Sequence, residues 1–260
     1  MFADLGTPII DLHAHLHPFP LPVERTTCDD LLRVMDRLGI ELTAISSTEA
    51  ILCDMASGNA ALSADIKGQD RVRGYAFANP NHVDRSLEQL RRYLDDESFI
   101  GVKLYSGAYI GKPLDCPEHV EILELVAREY PWALVLFHCG ENDPANFAGL
   151  RRIAERFPDL VFLAGHMGSK LWAQALPILS EQPNIIAEIC APVPARPRIE
   201  DAVRIMGPQR VVFGSDFPII SQAYMLGCIK DAEVTPEDKR LILLDNARRL
   251  LEAAAGRRCR

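Results

Sequence analysis

Apolar residues recur along this chain in short runs, each followed by a stretch in which they return every three or four positions. The first run, residues 9–16, carries Ile9, Ile10 and Leu12 and closes in His13-Ala14-His15. Further runs fall at 41–47, 72–78, 99–105, 132–138, 160–166, 184–190 and 210–216. Each has the length of a strand, and near-continuous apolar runs of this kind belong to parallel sheets covered on both faces. Helical periodicity predicts helices near 28–38, 57–68 and 83–95 and another after Pro117, since proline suits a first helical turn. The tail from Pro236 to Leu251 predicts closing helices. Eight strand–helix units in a row predict a parallel sheet with crossover helices. A length of 260 residues is close to that of a (β/α)8 barrel, so the expected fold is one α/β barrel domain spanning residues 1–260. No G-x-G-x-x-G fingerprint supports an open doubly wound sheet.

Side chains able to do chemistry stand at the ends of these runs. Alternate side chains of a strand face the same way. His13 and His15 therefore project together, as a chelating pair must. Lys103 lies late in the fourth run, in Gly101-Val102-Lys103-Leu104-Tyr105. His138 ends the fifth, His166 the sixth and Asp216 the eighth. A barrel of this kind builds its active site at the C-terminal strand ends. Four of the seven histidines thus converge with one aspartate on one face, a donor set for a divalent metal.

Composition narrows the function without naming it. The apolar share of 48% and charged share of 25% are those of an ordinary globular protein. A net charge of −8 argues against nucleic acid as partner, because phosphate-backbone binding needs clustered Lys and Arg. No run of about 18 apolar residues predicts a membrane span, and no basic segment followed by an apolar one marks a secretory signal. The seven cysteines are scattered without a C-x-x-C pair, which predicts free thiols and a cytoplasmic setting.

His13-x-His15, Gly-Val-Lys-Leu at 101–104, His138, Gly-His-Met-Gly at 165–168, Gly-Ser-Asp-Phe-Pro at 214–218 and the closing Asn246-Ala247-Arg248-Arg249-Leu250 together resemble the metal-dependent amidohydrolase superfamily. The amidohydrolase-2 branch is the most similar, over essentially the whole chain. The resemblance implies a divalent metal, zinc as the expected ion, held by His13, His15, His138 and Asp216 with one position open to water. It implies that Asp216 is both ligand and proton acceptor. His166 then polarises the substrate or attacking water, or binds a second metal. Lys103 contacts the substrate, or is carbamylated and bridges two metals, or forms a structural ion pair. The expected function is hydrolysis of an amide, lactone or related carbonyl bond in a small molecule. The alternative is non-oxidative decarboxylation of an aromatic or unsaturated carboxylic acid. A phosphoesterase or nuclease is disfavoured by the acidic charge and by lysine where such nucleases place glutamate; a non-catalytic metal protein is disfavoured by the intact ligand set.

Weaker candidates surround these. Tyr105 and Cys190 are expected pocket-wall residues, Cys190 being a poor candidate nucleophile where a metal already supplies one. Tyr109 and Lys112 follow strand four, Glu188 precedes Cys190, and Arg196 and Arg198 follow strand seven, where they could grip an anion. Glu141, Asn142 and Asp143 follow strand five; His82 and His119, near helix starts, are expected at the surface. The pattern is compatible with a homo-oligomer.

Overall fold

The computed structural model describes residues 5–18, 26–106, 110–140, 144–191, 193 and 197–259. Its strands are β1 (Ile9–Leu16), β2 (Ile40–Ser47), β3 (Val72–Phe77), β4 (Phe99–Leu104), β5 (Leu134–His138), β6 (Val161–Gly165), β7 (Ile185–Glu188) and β8 (Val211–Val212). They pair in parallel in sequence order. The expected (β/α)8 barrel is therefore the observed fold. The ring is joined between β8 and β1 by four backbone hydrogen bonds: Leu12 N to Phe213 O (3.0 Å), Ser215 N and Asp216 N to His13 O (3.1 and 2.7 Å), and His15 N to Phe217 O (2.6 Å).

The helices are α1 (Cys28–Leu38), α2 (Thr48–Leu52), α3 (Met55–Ile66), α4 (Val83–Leu94), α5 (Pro117–Glu129), α6 (Pro144–Arg156), α7 (Trp172–Ser180), α8 (Arg198–Met206), α9 (Gln222–Asp231), α10 (Pro236–Arg240) and α11 (Asn246–Arg258). Leu31, Met35 and Leu38 of α1 bury one face of that helix against the outside of the strands. The inside of the ring is filled by Ile10, Leu12, Tyr75, Leu136, Leu163, Ile186 and Val212. Leu244, Ala247 and Leu250 from the C-terminal segment join that cluster.

The helix expected near 57–68 is α3, and the short α2 precedes it; Ser47 Oγ accepts from Ala50 N at the start of α2 and Asp54 Oδ1 from Ser57 N at the start of α3. Two sequence expectations, the extent of the eighth strand and the exposure of His119, need correction. The eighth strand, expected over 210–216, holds strand geometry only at Val211–Val212. Beyond it the chain turns to bond β1, and Asp216 adopts a left-handed φ of 61°. His119 is not at the surface; it is fully buried on α5, with its ring edge against Phe137.

Candidate active site

The pairing of β1 with β2 contains the device that aims the first two histidines. Asp11 pairs with Thr43 and Ala14 with Ile45, so three steps on β1 match two on β2. The extra residue is a bulge, which re-aims side chains at the rim of a barrel. Ile10 and Leu12 point into the ring below it; His13 and His15 take the inward side above it. His13 Nδ1 lies 2.7 Å from Glu188 Oε2 and His15 Nδ1 3.0 Å from Ser46 Oγ. With Nδ1 engaged, each ring turns Nε2 toward Asp216, whose Oδ1 is 3.8 Å from His13 and 3.2 Å from His15.

Asp216 is held in place by Asp11, which sequence reasoning missed. The Asp11 carboxylate accepts from His13 N (3.1 Å), Ser215 N (3.0 Å), Ser215 Oγ (2.6 Å) and Gln222 Nε2 (2.9 Å). It thus ties β1 to the segment carrying Asp216. Burial raises its carboxyl to about 7, against those same hydrogen bonds. The available signal was a lone acid inside an apolar run, two residues before His13.

Lys103 is fully buried, with Nζ 3.0 Å from His13 Nε2. Burial lowers its ammonium to about 8, although Asp216 pulls the other way. His166 starts the turn after β6 with a left-handed φ of 68°. Its Nε2 is 3.1 Å from His138 Nδ1 and its Nδ1 3.2 Å from Cys190 O. Tyr105 stacks on His138 at 3.9 Å between ring centroids. Glu188 is the second residue that sequence reasoning undervalued. Besides His13, its carboxylate accepts from His166 N (3.1 Å), Cys190 N and Cys190 Sγ (3.0 Å). Gly214 passes so close that a Cβ there would run into the Glu188 carboxylate.

The electrostatics suit a cation. Burial holds His13, His15 and His138 below the usual imidazole range, leaving the neutral rings that metal binding requires. Burial opposes ionisation of Asp216, but the hydrogen bond with His15 and the neighbouring imidazoles outweigh it and bring its carboxyl to about 2. Burial and Glu188 push the Cys190 thiol well up, so it is a neutral wall group.

A metal fits between His13, His15 and Asp216. Metal–ligand bonds of about 2.1 Å in a tetrahedron put donors about 3.4 Å apart, and the 3.2 and 3.8 Å between Asp216 and the two histidines bracket that spacing. A carboxylate behind the ligating imidazole, as Glu188 stands behind His13, is the usual support of such a ligand. Donor atoms of His13, His166, Cys190 and Asp216 all lie within 4.8 Å of one another. His138 is reached through His166. Lys112 pairs with Glu118 instead of entering the site. Arg198 is buried at the start of α8, while His82 is exposed. Tyr109, Glu141, Asn142, Asp143 and Arg196 lie outside the described residues.

Comparison with known proteins agrees with this architecture. Similar solved structures include 2,6-dihydroxybenzoate decarboxylase from Rhizobium, at 17% identity and a TM-score of 0.75, covering 94% of this chain and 98% of that one. A dihydroxybenzoic acid decarboxylase from a Polaromonas species, with bound manganese and 2-nitroresorcinol, is 16% identical with a TM-score of 0.77, covering 94% and 97%. The 5-carboxyvanillate decarboxylase of Novosphingobium aromaticivorans, with manganese and 4-hydroxy-3-methoxy-5-nitrobenzoic acid, is 16% identical with a TM-score of 0.74, covering 96% and 97%. At such identities the likeness is one of fold. No curated protein sequence matches. The profile of the amidohydrolase family (Amidohydro_2) matches residues 10–253, nearly the entire barrel, and the chain belongs to that family of enzymes.

Proposed function

We propose that this protein is a metal-dependent, non-oxidative decarboxylase of a small aromatic or unsaturated carboxylic acid. The observation that carries this reading is the Lys103 ammonium, buried 3.0 Å from His13 Nε2 among the metal-binding donors. A cation fixed there receives an anionic oxygen, which a carboxylic acid brings and a neutral amide or lactone does not. The decarboxylases among the similar structures support the same choice over hydrolysis.

In this reading His13, His15, His138 and Asp216 hold the metal, which supplies Lewis acidity toward the substrate's oxygens. Zinc remains the expected ion from the sequence; the nitrogen and oxygen donors also suit manganese, the ion in two of the relatives. Lys103 binds the substrate carboxylate. Loss of CO2 breaks the bond between ring and carboxylate carbons and leaves its electron pair on the ring carbon. That carbon then takes a proton that originates in solvent water, which Asp216, ionised at rest, would first accept and then pass on. His166 orients the substrate, held by its contacts to His138 and Cys190 O. Tyr105 and Cys190 are walls. Because Lys103 Nζ already stands 3.0 Å from His13 Nε2, a carbamate would need room for a whole carboxyl group in that gap. This favours the ammonium and one metal over a carbamylated bridge between two.

The test is turnover by protein loaded with Mn2+ or Zn2+ on hydroxybenzoic acids, 2,6-dihydroxybenzoate and 5-carboxyvanillate among them. CO2 release and, in D2O, one deuterium at the vacated ring position are expected. Hydrolysis of lactones or amides by the same preparation, with no CO2 from any aromatic acid, would overturn the reading.

A further inference from the structure

Between the start of α8 and α9 lies a cavity of about 360 Å3 whose lining includes Arg198, Ile199, Glu200, Tyr224, Gly227 and Cys228. None of the described active-site side chains lines it. Arg198 is only 2% exposed, yet its guanidinium donates to Ile189 O and, among the described residues, forms no ion pair. A buried charge without an opposite partner is costly, so this one calls for an anion from elsewhere. Neither carboxylate in the wall, Glu200 or Asp231, pairs with it among the described residues, and Glu200 Oε1 is turned to Glu233 N at 2.8 Å.

A second observation points the same way. Gly227 sits in the interior of α9, where glycine weakens a helix. No neighbour requires it, since a Cβ there would meet nothing within 4 Å. What its missing side chain does is leave the cavity open. Tyr224, the exposed large apolar side chain among the described residues, forms part of the same wall.

We propose that this cavity binds a small organic monocarboxylate, with Arg198 taking the carboxylate and Ile199, Ala223, Ala232 and the Tyr224 ring enclosing its apolar body. Among the described lining residues one cation stands beside two acidic ones, which disfavours a dianion more than a single negative charge seated on Arg198. The site is separate from the proposed decarboxylation and does not depend on it.

Half-buried Cys228 in the wall allows a local readout, with exposed Cys53 and Cys259 as internal standards. Metal-loaded protein is alkylated with iodoacetamide in a benzoate series, and each cysteine is followed by peptide mass spectrometry. At benzoate about ten times its Kd, Cys228 should react about tenfold more slowly, with Cys53 and Cys259 unchanged. Protection should persist in the His13→Ala, His15→Ala double variant, which separates this cavity from the active site. It should vanish in Arg198→Gln. It should also vanish in Gly227→Leu, whose side chain enters open space and which therefore folds whatever becomes of Arg198→Gln. No protection in the wild-type protein, or protection retained in Gly227→Leu, overturns the proposal. Equal protection by inorganic phosphate overturns the monocarboxylate assignment.

Discussion

Replacing Glu188 by glutamine separates what its shape does from what its charge does. Oε2 faces three donors, namely His13 Nδ1 at 2.7 Å, His166 N at 3.1 Å and Cys190 Sγ at 3.0 Å, while Oε1 faces Cys190 N. Glutamine must keep its oxygen toward the three, so its NH2 points at the Cys190 amide. One buried donor then confronts another, which costs about 1–3 kcal/mol of stability. The bond to His13 also loses its ionic assistance and about half its strength. A weakened partner behind a ligating histidine typically lowers metal affinity about 10–100-fold, or about 1.4–2.7 kcal/mol. Glu188→Gln should therefore keep a native circular dichroism spectrum, unfold at lower denaturant, and bind Mn2+ or Zn2+ more weakly by about that factor in competition with a chromophoric chelator. Metal affinity indistinguishable from the wild type would refute the argument that Glu188 sets the His13 ring for the metal.

The His13→Ala, His15→Ala double variant should lose nearly all bound metal while keeping its fold; wild-type stoichiometry by plasma mass spectrometry would sink the ligand assignment. Asp216→Asn should keep part of its metal through the histidines but lose about 10²–10⁴ in kcat, the usual cost of removing a proton-transfer group, and full turnover would show that the proton travels elsewhere. Lys103 gives a pH signature in the metal-free protein. Its ammonium deprotonates at about 8 when folded against 10.5 in the unfolded chain, so the unfolded state binds more protons between those values and stability rises with pH across that window. Denaturant titrations at pH 8 to 10 should show that rise in the wild type and a flatter profile in Lys103→Met; parallel profiles would mean that the lysine is solvated.

The barrel was legible in the sequence because its strands are buried on both faces and write themselves as apolar runs, from Ile9–Leu16 to Val161–Gly165. The candidate donors were legible as polar side chains that end those runs. What periodicity could not supply was anything set by closing the ring. Asp216 was expected in a strand, but its position comes from bonding to β1 and Asp11 across the seam, a pairing between segments far apart in the sequence. Glu188 looked like one more polar residue near a strand end; its weight comes from two groups on other segments, His13 and His166, converging on it together with its near neighbour Cys190. His119 read as a surface residue because it stands near the start of a helix, while its ring packs against Phe137.

The join between β8 and β1 also orders events in the life of the chain. His13 and His15 are synthesised before the segment from Phe213 to Phe217, yet the ring they belong to is completed only when that segment arrives to bond β1. In the proposed ligand set, donors stand on both sides of that join, so the ion cannot be fully held by a nascent chain. With that ligand set, metal acquisition would be a late step, and the ion would act as a clasp between the first and last strands of the barrel. Amides of Leu12, His15, Ser215 and Asp216 should then exchange with solvent more slowly once metal is bound, with the far side of the ring little affected.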